Sequence, residues 1–244
     1  MSSDHPDRDS GRERVRLESL SVVLPAFNEE QVIREVVSSI SRFLPSVADL
    51  FEVIVVDDGS TDRTGAILEE MMETDPALVA IHHSRNRGYG AALRTGFSRA
   101  RFDHVFYTDS DGQFDISEIH QLLPHISHAD IVTGYRRNRK DPLHRKLNAA
   151  LLRTFARVIL GLRLRDIDCA FKVYRKEVLD SIDLLSDGIL IDTEIFCKAR
   201  RKGFSVREVP VSHFPRTKGT PTGSRADVLF RVIRELPKLF RDHS

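Results

Sequence analysis

The sequence predicts an α/β fold, a Rossmann-like and mainly parallel sheet flanked by helices in a single domain. From residue 20 onward, short apolar, β-branched runs alternate with stretches of helical period, the pattern of βαβ units. The 244 residues, 41% hydrophobic and 30% charged, also suffice for one full core but not for two ordinary domains with linkers. Sheets of this kind bind ligands outside the carboxyl ends of their strands. Those ends are therefore where function is to be sought.

Residues 1–19 are dominated by Ser, Asp, Arg and Gly with almost nothing to bury, so they read as a disordered tail before a domain spanning 20–244. Strands are expected at 20–24, 51–56, 78–81 and 104–108, with helices between them at 29–43, 63–73 and 88–100. Beyond Asp115 the pattern loosens. It predicts helices at 116–123, 146–160 and 192–202 and strands at 131–133 and 205–211. A closing amphipathic helix follows at 227–240, kinked or ended early by Pro237.

The formal charge of +1 argues against a globally basic nucleic-acid binder, so no nucleic-acid partner is expected. Charge is instead local. Ten Lys or Arg residues lie from Arg136 to Arg165 against the single acid Asp141. That run enters an apolar helical stretch, and a basic, apolar helix can lie in a membrane interface. Anionic lipids attract such segments by about 1 kcal/mol per basic residue near the surface. An anionic membrane surface is therefore an expected partner. No stretch of about 18 apolar residues and no leader pattern occurs, which predicts a cytoplasmic protein, peripheral on the inner face of the membrane. Cys169 and Cys197 are too few for a disulfide framework or a cysteine-rich zinc site and read as small buried apolar residues.

Three strand ends carry polar clusters. The first runs into Pro25-Ala26-Phe27-Asn28-Glu29-Glu30, which by itself is an ordinary helix start. The second ends in Asp57-Asp58-Gly59-Ser60-Thr61-Asp62, whose bland reading is an acidic turn with Asp62 capping a helix. The fourth ends in Asp109-Ser110-Asp111-Gly112-Gln113. Carboxylates two residues apart there can project to one side and grip one hard cation, and oxygen ligands favour Mg2+ or Mn2+ over zinc. An Asp-x-Asp triplet arises by chance in many proteins, but clusters at three strand ends of one sheet are harder to dismiss. Among ten histidines, His125 and His128 lack a third ligand, and only His213 stays a site candidate.

This order of motifs resembles family 2 of the inverting glycosyltransferases, of the GT-A fold, and within it the polyprenyl-phosphate mannosyl- and glucosyltransferase branch. The resemblance runs from about Leu20 to Leu236. It implies a nucleotide-diphospho-sugar donor, a polyprenyl phosphate acceptor, and Mg2+ or Mn2+. On this resemblance Pro25, Asn28, Glu29, Asp57 and Asp58 are donor contacts, with Gly88 of Arg87-Gly88-Tyr89-Gly90 beside them. Asp109, Asp111 and Gln113 form the metal and diphosphate site. The segment from Asp166 to Lys172 resembles the branch's Asp-x-x-x-Gly-Phe-Lys, with Ala170 in place of glycine, and it brings in Asp168. Further matches are Asp192-x-Glu194, Glu208-Val209-Pro210-Val211 and Gly223-Ser224-Arg225. Arg136 and Arg145, whose planar forks suit phosphate oxygens, are candidates to clamp the acceptor. The competing readings are a GT-A enzyme with a soluble hydroxyl acceptor, a nucleotidyltransferase and a non-catalytic binding module. The nucleotidyltransferase pattern has a glycine-rich loop where Pro25-Ala26-Phe27-Asn28 stands, and the Asp109/Asp111 pair argues against the module.

Overall fold

The computed structural model describes residues 15–137 and 164–216. Its strands are β1 (Leu17–Ala26), β2 (Ala48–Asp57), β3 (Leu78–His82), β4 (His104–Thr108), β5 (Ile131–Arg136), β6 (Phe171–Arg175) and β7 (Val206–Val211). Its helices are α1 (Ile33–Phe43), α2 (Thr64–Met72), α3 (Tyr89–Arg99), α4 (Ile119–Ile126), α5 (Lys176–Ser181) and α6 (Ile191–Arg201). One sheet has the order β3-β2-β1-β4-β6-β5-β7. All neighbours are parallel except β6, which runs against both β4 and β5.

The central strand β1 is buried on both faces from Ser19 to Ala26, as a parallel strand covered by crossover helices must be. Alternation along it feeds two cores. Leu20, Val22 and Leu24 pack with Ile33, Val37 and Ile40 of α1 and Leu68 and Met71 of α2. Val23 packs on the other face with Ala92, Leu93 and Phe97 of α3 and Ile195 and Phe196 of α6. The buried α1 residues recur at helical spacing, and each contributes about 1.5–3 kcal/mol by leaving water. On the opposite face α3 approaches so closely that a Cβ on Gly96 would stand 2.3 Å from Val23 Cγ1.

The parallel α/β architecture is the one expected, with local differences. β1 starts at Leu17, inside the stretch read as tail, because the buried Leu17 donates its N–H to the Val47 carbonyl at 2.8 Å. α1 starts at Ile33 rather than 29, since Asn28 takes a left-handed φ of 56° and a turn intervenes before the helix. β6 and α5 were not anticipated. A lysine inside Phe171-Lys172-Val173-Tyr174-Arg175 interrupts the apolar run that identifies a buried strand. Both cysteines are buried free thiols, as expected, and burial pushes that of Cys169 up to about 12. Residues 1–14, the helices expected at 146–160 and 227–240, and Arg145 lie outside the described residues. Among the described residues no helix is long and apolar enough to cross a membrane.

Candidate active site

The loops after β1 and β2 are stitched together by side chains acting on backbone. Asn28 donates its N–H to Ser60 Oγ (2.9 Å) and accepts from Thr61 N–H through Oδ1 (2.8 Å). Asparagine tolerates the left-handed conformation required there. Glu29 donates its N–H to Thr64 Oγ1 at 2.8 Å, and its carboxylate takes the Arg216 guanidinium. Burial raises the Glu29 pKa, with Arg216 opposing. Asp62 accepts from the Thr64 N–H (2.9 Å) and hydroxyl (2.6 Å) one residue ahead of the helix N-cap, which is Arg63 rather than the expected Asp62. Ser110 donates to the Pro25 carbonyl (2.7 Å), which ties the turn after β4 to the end of β1. Pro25, Asn28, Glu29, Asp57 and the Asp109 turn thus share one edge of the sheet.

Asp57 and Asp58 diverge in what they hold. Asp57 accepts from the Ser60 N–H (2.9 Å) and contacts His82 Nδ1 (3.0 Å). Asp58 accepts from Arg87 N–H (2.9 Å) and Gly88 N–H (2.8 Å) and contacts His83 Nδ1 (2.6 Å). Asp58 and Gly88 do meet, but their bond shapes the loop before α3. That loop needs glycine, because Gly88 has φ 105° and a Cβ there would lie 2.3 Å from the Asp187 carbonyl oxygen. The same carbonyl accepts from Gly90 N–H and Ala91 N–H, so these N–H groups at the start of α3 are bonded within the protein.

Asp109 and Asp111 follow β4. Asp109 accepts from the Tyr89 hydroxyl at 3.0 Å, Tyr89 meets the Tyr107 hydroxyl at 2.8 Å, and Tyr107 donates to Asp192 Oδ2 at 3.1 Å. Burial, then the like charge of Asp111, raises the Asp109 pKa to about 7. Two acidic groups crowded this way fit a hard divalent cation, which would offset their repulsion. Among the described residues no three His, Cys, Asp or Glu groups converge as a metal cage. Mg2+ is usually bound by one or two carboxylates, with water and phosphate oxygens making up the rest, so a pair of this kind would suffice to hold it. Gln113 braces the loop, its Nε2 donating to the Phe214 carbonyl (2.8 Å), while the His213 ring packs edge-on against Phe114 at 5.0 Å. Asp109 and Asp111 line a cleft of about 220 Å3 together with Val32, Val36, Phe114 and Phe171.

The antiparallel strand β6 brings a fourth cluster to this edge. Thr108 and Phe171 are register partners, so the segment preceding β6 arrives beside the Asp109 turn. Lys172, fully buried, donates from Nζ to Asp192 Oδ1 (2.8 Å) and to the Cys169 carbonyl (2.6 Å). Glu194 accepts from Leu185 and Ser186 N–H and pairs with Lys198, so it holds the loop before α6. Crowding by protein, then Asp192, raises the Asp168 pKa to about 6 against Lys172. Asp168 nevertheless keeps an exposed surface, so its desolvation is partial and its carboxylate is mostly ionised at neutral pH. The Arg136 guanidinium fork engages Asp166 through Nε (2.7 Å) and Nη2 (2.8 Å). Ala170 needs no glycine-like backbone, since Asn28 is the one non-glycine residue with positive φ among the described residues.

Residues 21–183 match the profile of Glycosyl transferase family 2. The chain belongs to this family. Glycosyltransferase AglD of Haloferax volcanii is 34% identical over 81% of the chain and 33% of its own length. The chain thus spans about a third of that first relative. Polyprenol monophosphomannose synthase of Mycolicibacterium smegmatis is 31% identical over 86% of this chain and 84% of that one. The fold is that of glucosyl-3-phosphoglycerate synthase from Mycobacterium tuberculosis, solved with Mn2+ and uridine-diphosphate-glucose. The TM-score is 0.68 at 22% identity, covering 91% of this chain and 78% of that one. This family 2 glycosyltransferase therefore has the GT-A architecture that its motifs implied.

Several members of the site were not singled out from sequence. Tyr89 and Lys172 lay within quoted motifs but had no assigned role, while Tyr107, His82, His83 and Arg216 had none. The one available signal was the tandem His82-His83 at the end of β3, opposite the tandem Asp57-Asp58 at the end of β2.

Proposed function

We propose that this chain transfers a hexose, with inversion, from a nucleotide-diphospho-sugar to a polyprenyl phosphate. The reaction takes place at the cytoplasmic face of a membrane, with Mg2+ or Mn2+ at Asp109 and Asp111. The observation that carries this reading is the likeness to polyprenol monophosphomannose synthase over most of both chains. The linked loops after β1 and β2 supply the donor face through Pro25, Asn28, Glu29 and Asp57. A divalent cation bound at the acidic pair supplies charge neutralisation for the departing diphosphate.

A phosphate acceptor has its second pKa near about 6 and is largely dianionic at neutral pH. Its oxygen is already a competent nucleophile, so the protein's task is to position it and exclude alternatives. Arg136 is held by Asp166 through Nε and Nη2, and this fixed guanidinium is the proposed contact for an acceptor phosphate. Arg145 and the rest of the basic run, outside the described residues, supply attraction to anionic lipid.

The test is transfer of radiolabelled sugar from UDP- and GDP-hexoses to a short polyprenyl phosphate, with and without Mn2+, beside a soluble alcohol acceptor. Metal-dependent labelling of the polyprenyl phosphate is expected. Labelling of the alcohol alone would replace the acceptor assignment, and no labelling of either would overturn the proposal.

A further inference from the structure

We infer that His82 is the positioning residue for Asp57 and makes nucleotide binding depend on pH. The inference rests on the donor-face role proposed above for Asp57. The parallel register of β2 and β3 sets His82 opposite Asp57, and the ring lies between two carboxylates. Nδ1 is 3.0 Å from Asp57 Oδ2 and Nε2 is 2.7 Å from Glu69 Oε1 of α2. The first turn of α2 crosses this contact at Gly65. A Cβ there would stand 3.0 Å from Asp57 Oδ2 and 3.4 Å from His82 Nδ1, so the packing leaves Asp57 little freedom. With the Ser60 N–H on the other oxygen, both carboxylate oxygens are held from within the protein.

The neighbouring histidine has a different pair of partners. His83 sits between the Asp58 carboxylate (2.6 Å) and the Thr95 hydroxyl (3.0 Å). A hydroxyl can donate or accept, so one neutral tautomer of His83 satisfies both contacts. His82 faces acceptors on both sides, and only the imidazolium donates from both nitrogens. Asp57 from β2 and Glu69 from α2 are the charged groups that act on it. Burial lowers its pKa, but the bonds and charges of these two carboxylates outweigh burial and raise it above the ordinary 6.5. The ring is about a third exposed, 35% of its side-chain surface, so protons reach it from solvent. Deprotonation leaves one N–H to serve two carboxylates, so in the tautomer that keeps the proton on Nε2 Asp57 loses its donor and is loosened.

The experiment measures binding of uridine diphosphate and guanosine diphosphate by calorimetry at fixed Mn2+ from about pH 6 to pH 8.5, across the range in which histidine titrates. The proteins are wild type, His82→Gln, His82→Leu and Glu69→Gln. Titration of the ligand itself is common to all four and cancels in their ratios. Wild-type affinity should weaken severalfold as pH rises relative to His82→Gln, whose amide donates at every pH. His82→Leu should bind weakly throughout, with a melting temperature confirming that it folds. Glu69→Gln should bind well and lose the pH dependence, because an amide can donate to the neutral ring. Wild-type binding with the same pH profile as His82→Gln, or undiminished binding by folded His82→Leu, overturns the inference while leaving the donor reading intact. Absence of wild-type binding to either nucleotide at every pH overturns both.

Discussion

Lys172 and Asp192 form an ion pair that reaches almost no solvent, with Nζ 2.8 Å from Oδ1 and the Tyr107 and Phe196 rings 5.0 and 5.6 Å from the ammonium. Removing one partner leaves an uncompensated buried charge. Lys172→Met should therefore lower unfolding free energy by about 3–5 kcal/mol in urea titration. The double variant Lys172→Met/Asp192→Leu should recover much of that loss. A single variant as stable as wild type would mean that the pair contributes nothing.

Asp109→Asn and Asp111→Asn should each abolish sugar transfer with the fold retained. On the proposed mechanism each removes charge from a cation site that would supply several kcal/mol of charge neutralisation to the departing diphosphate. Turnover is read against Mn2+ concentration, with circular dichroism as the control for folding. Near-normal turnover in either variant would end the cation assignment.

Asp168→Asn tests the acceptor class. General base catalysis is worth about a hundred- to ten-thousandfold in rate, whereas a phosphate dianion needs no base. The variant should lose much less than that in kcat. A loss in that range with unchanged KM values would favour a hydroxyl acceptor.

Glycine at 88 should prove more demanding than glycine at 203, although both have positive φ. A Cβ at Gly203 meets nothing within 4 Å, so Gly203→Ala should cost roughly 1–2 kcal/mol of backbone strain. Gly88→Ala adds the clash with the Asp187 carbonyl and should cost more. It should also weaken nucleotide binding through the loop that Asp58 braces. Equal melting temperatures would contradict the close approach.

Acid should weaken the joint between β5 and β7. Bonds from the Ser205 hydroxyl and N–H hold the Asp130 pKa below 3.8. A depressed carboxylate pKa gives stability that is present above the unfolded value and lost as pH falls through the folded one. Asp130→Asn should thus be less stable than wild type near neutrality and converge with it in acid, once pH has fallen through the depressed folded-state pKa. A constant difference across that range would remove the ionised carboxylate from the explanation.

The parallel sheet and the three strand-end clusters were legible because each depends on local periodicity and on residues close in the chain. What escaped depends on partners far apart. Asp166 meets Arg136 across 30 residues, and the work of Asp58 emerges only when the loop of Arg87 and Gly88 folds back on it. β6 was missed because Lys172 looks like a surface residue until Asp192 arrives from α6 to neutralise it.

The reversed direction of β6 has an evolutionary consequence. Parallel strands deliver the loops that follow them to the site, whereas β6 delivers the segment that precedes it. The loops proposed to face the donor thus follow β1 and β2 in one half of the sheet, and the Asp168 and Arg136 cluster comes from β5 and β6 in the other. The two halves meet at the Asp109 turn. On the roles proposed for the two sides, substitutions that retune recognition on one need not disturb the other, so a lineage built on this plan could exchange acceptors while keeping its nucleotide, or the reverse.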